Sequence, residues 1–260
     1  MGLMCPAQDT SSVSDTLTAA NKVAYRGIEI LTGRTLSDIE TVRNIITPIG
    51  EGDAIKLIQA LPGIATGAEG SSAIYARGGN IGNNLMSLDG VTIYGISHLL
   101  GMTSSVSSDV IGETNFQIGG FDADRGAALS SFIGLKSAAS QMDKWHISGM
   151  ASPFLESVKV EGPVSDRTGV LVTGRFSPIG LAYKSAKGVL TSDKGLKSLD
   201  ATVYDVYGKV QSKDKKGNEL TAFIFRSADE YDIGFGKNAD RYKMGWNNTI
   251  GLIKYLIATL

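Results

Sequence analysis

Little in this 260-residue chain invites catalytic or metal chemistry. Cysteine occurs once, at Cys5, so no intramolecular disulfide can form and a cysteine-based zinc site is not expected. The two histidines, His98 and His146, stand far apart, with no cysteine near either and no acid placed in sequence to orient them. Charge of one sign is also lacking. Lys+Arg number 25 against 26 Asp+Glu, and the net charge of -1 gives no nucleic-acid footprint. No apolar run reaches the roughly 20 residues of a transmembrane helix; the longest mixed one, "TIGLIKYLIATL", is broken by Lys254. Membrane helices are excluded on this pattern, and membrane strands are not.

What is present is glycine, 32 residues of it against six prolines, above the ordinary glycine share of about 7%. It is scattered among alternating Val, Ile, Tyr and Thr, which predicts β structure with many tight turns. The start, "MGLMCPAQDTSS", lacks a basic n-region and reads as the remnant of a signal peptide ahead of a polar segment. From Asp9 to about Gly33 the chain is weakly patterned, as expected of an arm. From Thr35, "TLSDIETVRNII" has apolar residues at helical spacing, and "GDAIKLIQALPG" predicts a second helix with Asp53 as its N-cap and Pro62-Gly63 as its stop. Short strands follow in "SAIYARG", "NLMSLDGVTIYG", "ETNFQIGG" and "SSFIGLKSA".

After Gln141 the texture changes to strands of about 9 to 11 residues with strict alternation. In "GVLVTGRFS", Val170, Val172 and Phe176 oppose Thr173 and Arg175; in "TVYDVYGKVQS", Tyr204, Val206 and Val210 oppose Asp205, Lys209 and Gln211. About six such strands are expected, with "SKDKKGNEL" as a charged turn between two of them. Period-two alternation does not say whether the apolar face meets lipid or protein.

Candidate chemical motifs fail on spacing. "RGGNIGNN" lacks the G-x-G-x-x-G pattern of a dinucleotide loop, "FDADRG" lacks the later ligands of a calcium loop, and no G-x-S-x-G elbow occurs. No metal, no cofactor and no enzyme activity are expected.

The stretch "GEGDAIKLIQALPGIATGAEGSSAIYARGGNIGNNLMSLDGVTIYGISHLLGMTSSVSSDVIGETNFQIGGFDADRG" then carries a resemblance. "LPGI" followed by "ARGG", "LDGV", "IYG", "SHL", "GGF" and "LSS", in this order from Gly50 to Ser131, resembles the plug domain of TonB-dependent outer-membrane transporters of the kind common in Bacteroidetes. "EGPVSDRTGVLVTGRFS" is similar to the early barrel of the same family.

The resemblance implies an α+β plug domain followed by antiparallel β-strands of an incomplete transmembrane β-barrel, with an arm over 1–33, the plug over 34–140 and the first barrel strands over 141–260. In the family the plug sits inside a barrel of roughly 22 strands. Six strands do not close such a barrel, so a fragment of a longer transporter is expected.

The implied function is TonB-dependent uptake of a small nutrient across the Gram-negative outer membrane, the plug gating the lumen. The partners would be TonB, outer-membrane lipid, the nutrient and a surface lipoprotein. Asp15, Thr16, Leu17 and Thr18 are the candidate TonB box, which would pair as an added strand. Arg77, Gly78, Gly79, Asp89, Gly90 and Arg125 are the candidate structural and gating residues, the arginines bonding the barrel wall or neighbouring plug strands and Asp89-Gly90 making a turn. Tyr94, His98, Thr103 and Ser104 are the candidate substrate-loop residues. The family's Gly-Gly-Arg after the "GGF" turn is here Gly126-Ala127-Ala128, which leaves Arg125 as an imperfect stand-in. The alternative is a soluble secreted binding or adhesion module with a plug-like fold.

Overall fold

A computed structural model describes residues 23–25, 28–31, 34–38, 47, 49–67, 71–121, 125–126, 128–190, 196–235 and 240–258. The candidate TonB box, the signal-peptide remnant and residues 122–124 of the "FDADRG" turn lie outside them.

Three short strands come first: β1 (Val23–Tyr25), β2 (Ile28–Leu31) and β3 (Arg34–Asp38). They correct two expectations. Strand structure begins within the segment expected to be an arm, and the start of the first predicted helix, Thr35 to Asp38, is extended because it pairs antiparallel with a later strand, Leu36 opposite Asn115; the rest of that predicted helix, residues 39–46, lies outside the described residues. Pairing to a formed sheet overrides a weak local period.

The second predicted helix is present as α1 (Ala54–Gln59), capped as expected: Asp53 Oδ1 accepts from the Ile55 amide at 2.7 Å. Beyond it lie β4 (Ile64–Thr66) and β5 (Ile74–Ala76), then β6 (Asn84–Leu88) and β7 (Val91–Ile93), β8 (Ser97–His98) and β9 (Thr103–Ser104), β10 (Ile111–Ile118) and β11 (Ser131–Ser137). The main sheet of this part runs β1-β2-β3-β10-β11-β6-β7, and the β11–β6 pair is parallel. Asp89 and Gly90, both left-handed at φ 49° and 91°, form the two-residue turn between β6 and β7.

The remainder is an antiparallel meander: β12 (His146–Ala151), β13 (Glu156–Ser165), β14 (Thr168–Phe176), β15 (Leu196–Lys213), β16 (Glu219–Phe235) and β17 (Asp240–Leu256), each strand hydrogen-bonded to the next. The expected six strands are there, the last three longer than anticipated. A helix, α2 (Ile179–Leu190), interrupts the connection from β14 to β15.

Strands β13, β14 and β15 turn their polar face inward. On β14, Leu171, Thr173 and Arg175 are buried while Val172 and Phe176 are exposed. On β15, Asp205, Lys209 and Gln211 are buried while Val206 and Val210 are exposed. The buried face packs on the first sheet.

One apolar core, with Ile55, Ile58, Leu88, Phe116 and Ile133 from the first part, continues into Leu171, Tyr207, Phe223 and Phe225 of the meander. The meander and the first part therefore share greasy contact as well as polar contact.

Ile133 sits on β11, between β10 and β6, and is fully buried. Ile133→Ala should destabilise the chain by about 2–5 kcal/mol, read as a lowered denaturant midpoint at unchanged slope.

Candidate functional site

The largest group of buried charged side chains gathers where the segment before α1 and the Tyr94–Ser108 segment meet strands β14 to β16. Arg175 reaches inward from β14. Its Nη1 donates to Glu51 Oε2 at 2.8 Å, its Nε to Asp205 Oδ2 at 2.7 Å, and its Nη2 to the Ser104 carbonyl at 3.0 Å. Both carboxylates and the guanidinium are buried, so each charge depends on the others.

Glu51 is further held through Oε1, which accepts from the Ser107 hydroxyl at 2.7 Å and the Ser108 amide at 3.2 Å. Asp53 accepts from the Ser104 amide through its second oxygen at 2.8 Å. Burial raises the Asp53 carboxyl pKa above its ordinary value, against the lowering effect of the Ser104 and Ile55 amides.

His98 occupies the other half of the cluster. Its Nε2 lies 3.2 Å from Asp205 Oδ2 and its Nδ1 contacts Asp229 Oδ1. Asp229 Oδ2 accepts from the Leu99 amide at 3.1 Å and from the Tyr231 hydroxyl at 2.6 Å. Burial lowers the imidazole pKa, but the hydrogen bonds to the two aspartates outweigh it and leave it above its ordinary value, against the opposing charge of Arg175.

His98 thus has two orienting acids that the sequence did not place near it. No cleft exposes the ring, which is 1% accessible, so the arrangement ties two parts of the protein together and offers no general base to a substrate.

Above the cluster, the Tyr94 amide donates to Asn248 Oδ1 at 2.9 Å and Trp246 Nε1 donates to the Ser97 carbonyl at 3.4 Å. Gly95, at φ 66°, lies so close to Trp246 that a Cβ there would sit 2.8 Å from the indole ring. Below it, Lys209 donates to Ser137 Oγ at 3.0 Å and to the Ala138 carbonyl, and Gln211 accepts from the Ser140 amide at 2.9 Å. A cavity of about 380 Å³ lies beside this lower contact, lined in part by Asp89, Arg125, Lys209 and Glu219.

The sequence candidates fall in several places. Of the substrate-loop candidates, His98, Thr103 and Ser104 are buried, His98 and Ser104 bonded to the meander, and Tyr94 alone is exposed. Arg77 lies against Gly119 at the end of β10, where a Cβ would meet its Nη1 at 2.8 Å, and the Arg125 guanidinium carbon stands 4.3 Å from the Phe132 ring centroid. Both arginines therefore cover strands of the first part. Gly78 is left-handed at φ 77°, and Gly79 packs against Ser130 too closely for a side chain. Asp89 Oδ1 accepts from the Ser137 amide at 2.9 Å, which ties the turn to β11.

Glu51, Arg175, Asp229 and Tyr231 were not among the candidates. Their only signal was the alternation that set Arg175 and Asp205 on a polar strand face, with nothing to say that this face is interior.

No family model matches the chain, and no curated protein matches it. Solved structures do. The outer membrane transporter YddB from Escherichia coli aligns over 92% of this chain and 39% of its own, with a TM-score of 0.65 at 10% identity. A variant of the ferric enterobactin receptor PfeA from Pseudomonas aeruginosa aligns over 86% and 38%, with a TM-score of 0.56 at 13% identity. FpvA of Pseudomonas aeruginosa, bound to heterologous pyoverdines, aligns over 85% and 30%, with a TM-score of 0.54 at 12% identity. The chain therefore shares the fold of part of these proteins and spans less than two fifths of their length.

Removing Arg175 would leave Glu51 and Asp205 buried without their counter-ion. Arg175→Met should cost about 3–5 kcal/mol in chemical unfolding, and adding Glu51→Gln and Asp205→Asn should recover part of that loss.

Proposed function

We propose that the chain is the plug and first wall strands of a transporter that takes a small nutrient across the Gram-negative outer membrane, driven by TonB. The first sheet with α1 is the plug, the meander is the wall, and the buried cluster holds one to the other. Residues 1–33 are the arm, with Asp15, Thr16, Leu17 and Thr18 as the box that TonB pairs with by strand addition. Tyr94 and its neighbours are the plug's contribution to nutrient binding, and a surface lipoprotein is a further partner.

The observation that carries this reading is the inverted polarity of the meander. Its outer face presents Ile147, Val158, Val172, Val206, Val210, Ile224 and Ile253, with Ile224 at 59% and Ile253 at 80% exposure. Trp145 and Tyr255 lie on that face towards one end, and Phe176 and Tyr204 towards the other. Beyond Tyr204 the face turns polar at Thr202 and Glu230, while within the band Arg226, opposite Val206, donates to the Tyr204 hydroxyl at 3.1 Å and to Thr249 Oγ1 at 3.2 Å.

From Leu220 to Ala228, β16 advances about 27 Å at ~3.4 Å per residue. Tilted by about 40°, that is roughly 21 Å, close to the ~25 Å apolar band of an outer-membrane barrel. A soluble binding module would leave this band in water, where so large an apolar surface favours association.

Ile224 lies midway along the band and separates the two readings. In lipid vesicles, Ile224→Arg should lower the unfolding free energy by about 2–4 kcal/mol, as a cation at the bilayer midplane does. A soluble module would tolerate it within about 0.5 kcal/mol, as exposed positions do. Recovery of the native product from the soluble fraction, with Ile224→Arg neutral, would overturn the transport reading.

A further inference from the structure

Both ring nitrogens of His98 face carboxylates, Nε2 towards Asp205 on β15 and Nδ1 towards Asp229 on β16. An ionised carboxylate only accepts hydrogen bonds, and a neutral imidazole has one N–H to give. Only the imidazolium can satisfy both contacts at once. In the neutral form, one of them becomes a meeting of lone pairs in a buried site.

The neighbouring backbone adds to this dependence. Leu99 and Leu100 are left-handed at φ 54° and 57°, a conformation that costs a residue with a side chain roughly 1–2 kcal/mol. It persists where the Leu99 amide is held by Asp229 Oδ2 at 3.1 Å. The remaining ties of this segment, Tyr94 to Asn248 and Ser97 to Trp246, are neutral hydrogen bonds. Among these ties His98 supplies the ion pairs between the Tyr94–Leu99 segment and the wall, and the Leu99 amide adds a bond to the same Asp229 carboxylate.

We propose that His98 is held as an imidazolium and latches the Tyr94–Leu99 segment of the plug to wall strands β15 and β16, so that loss of one ring proton frees the segment. The groups facing it are Asp205 on β15, Asp229 and Tyr231 on β16, Arg175 on β14, and Glu51 and Asp53 beside α1. His98 is a positioning residue, acting on the segment through Asp205 and Asp229. The latch rests on this geometry; its consequence, that the outer loop of the plug loosens on the alkaline side, rests on the transport reading above.

The sign follows from the raised imidazole value. The stabilisation is fully present below the unfolded-state value of about 6.5 and is lost as pH rises through the higher folded-state value.

The chain has two tryptophans, Trp145 on the wall's outer face and Trp246 against Ser97. A Trp145→Phe chain in detergent micelles therefore makes Trp246 a single reporter of the latch. Acrylamide quenching of its fluorescence should rise by about two-fold as pH is raised from below about 6.5 through the higher folded-state value, as the segment opens to solvent. With His98→Gln added, quenching should be high and independent of pH. With Asp229→Asn added, the midpoint should move to lower pH, because one of the two partners that raise it is gone. His146→Gln, on the exposed face of β12, should leave the titration where it was.

A flat profile in the Trp145→Phe chain would overturn the proposal, and so would an unchanged titration in the His98→Gln or Asp229→Asn chain. If His98→Gln does not fold, the direction of the Asp229→Asn shift still decides. Uptake is not measured in this experiment, so its failure leaves the transport reading standing, and a soluble native product would leave the latch standing.

Discussion

A guanidinium buried in a sheet is tolerable only where anions meet it from several sides, and Arg175 is met by Glu51 from the first part of the chain and by Asp205 from the neighbouring strand. This requirement fixes how the two parts fit together. Glu51 stands just before α1, so pairing it with Arg175 also sets where Asp53 caps that helix, and Asp53 in turn holds Ser104. Shifting the first part along the meander would separate charges that have left water, which costs far more than losing an exposed pair.

Between the upper charged cluster and the lower contact of Lys209 and Gln211 the interface is apolar, with Tyr207 and Phe223 stacked at 5.5 Å between ring centroids. The two kinds of contact do different work. Burial of Phe225, Tyr207 and Leu171 gives non-directional attraction that tolerates sliding. The ionic and hydrogen-bonded ties above and below it are directional and give the register.

Much of the architecture was legible locally. The Asp89-Gly90 turn, the Asp53 cap, the short strands before residue 140 and the six alternating strands after it follow from residue types and spacing, because caps, two-residue turns and strand faces are decided by near neighbours. Thr35 to Asp38 misled, since a helical period was present and the pairing that overrode it comes from β10, far along the chain. The cluster was not legible. Glu51, His98, Arg175, Asp205 and Asp229 come from five separate segments, and no spacing within any one of them announces the others.

By itself, then, the sequence determined which strand residues share a face, where turns fall and that no disulfide, transmembrane helix or familiar catalytic motif is encoded. Only the tertiary structure decided which face is inside. Alternation of period two is symmetric between the two faces, and the choice depends on what packs against them. Here the first part of the chain brings Glu51, Asp53 and His98 to the polar face, where Arg175, Asp205 and Asp229 can be neutralised, and the valines and isoleucines of the other face are left to the surroundings.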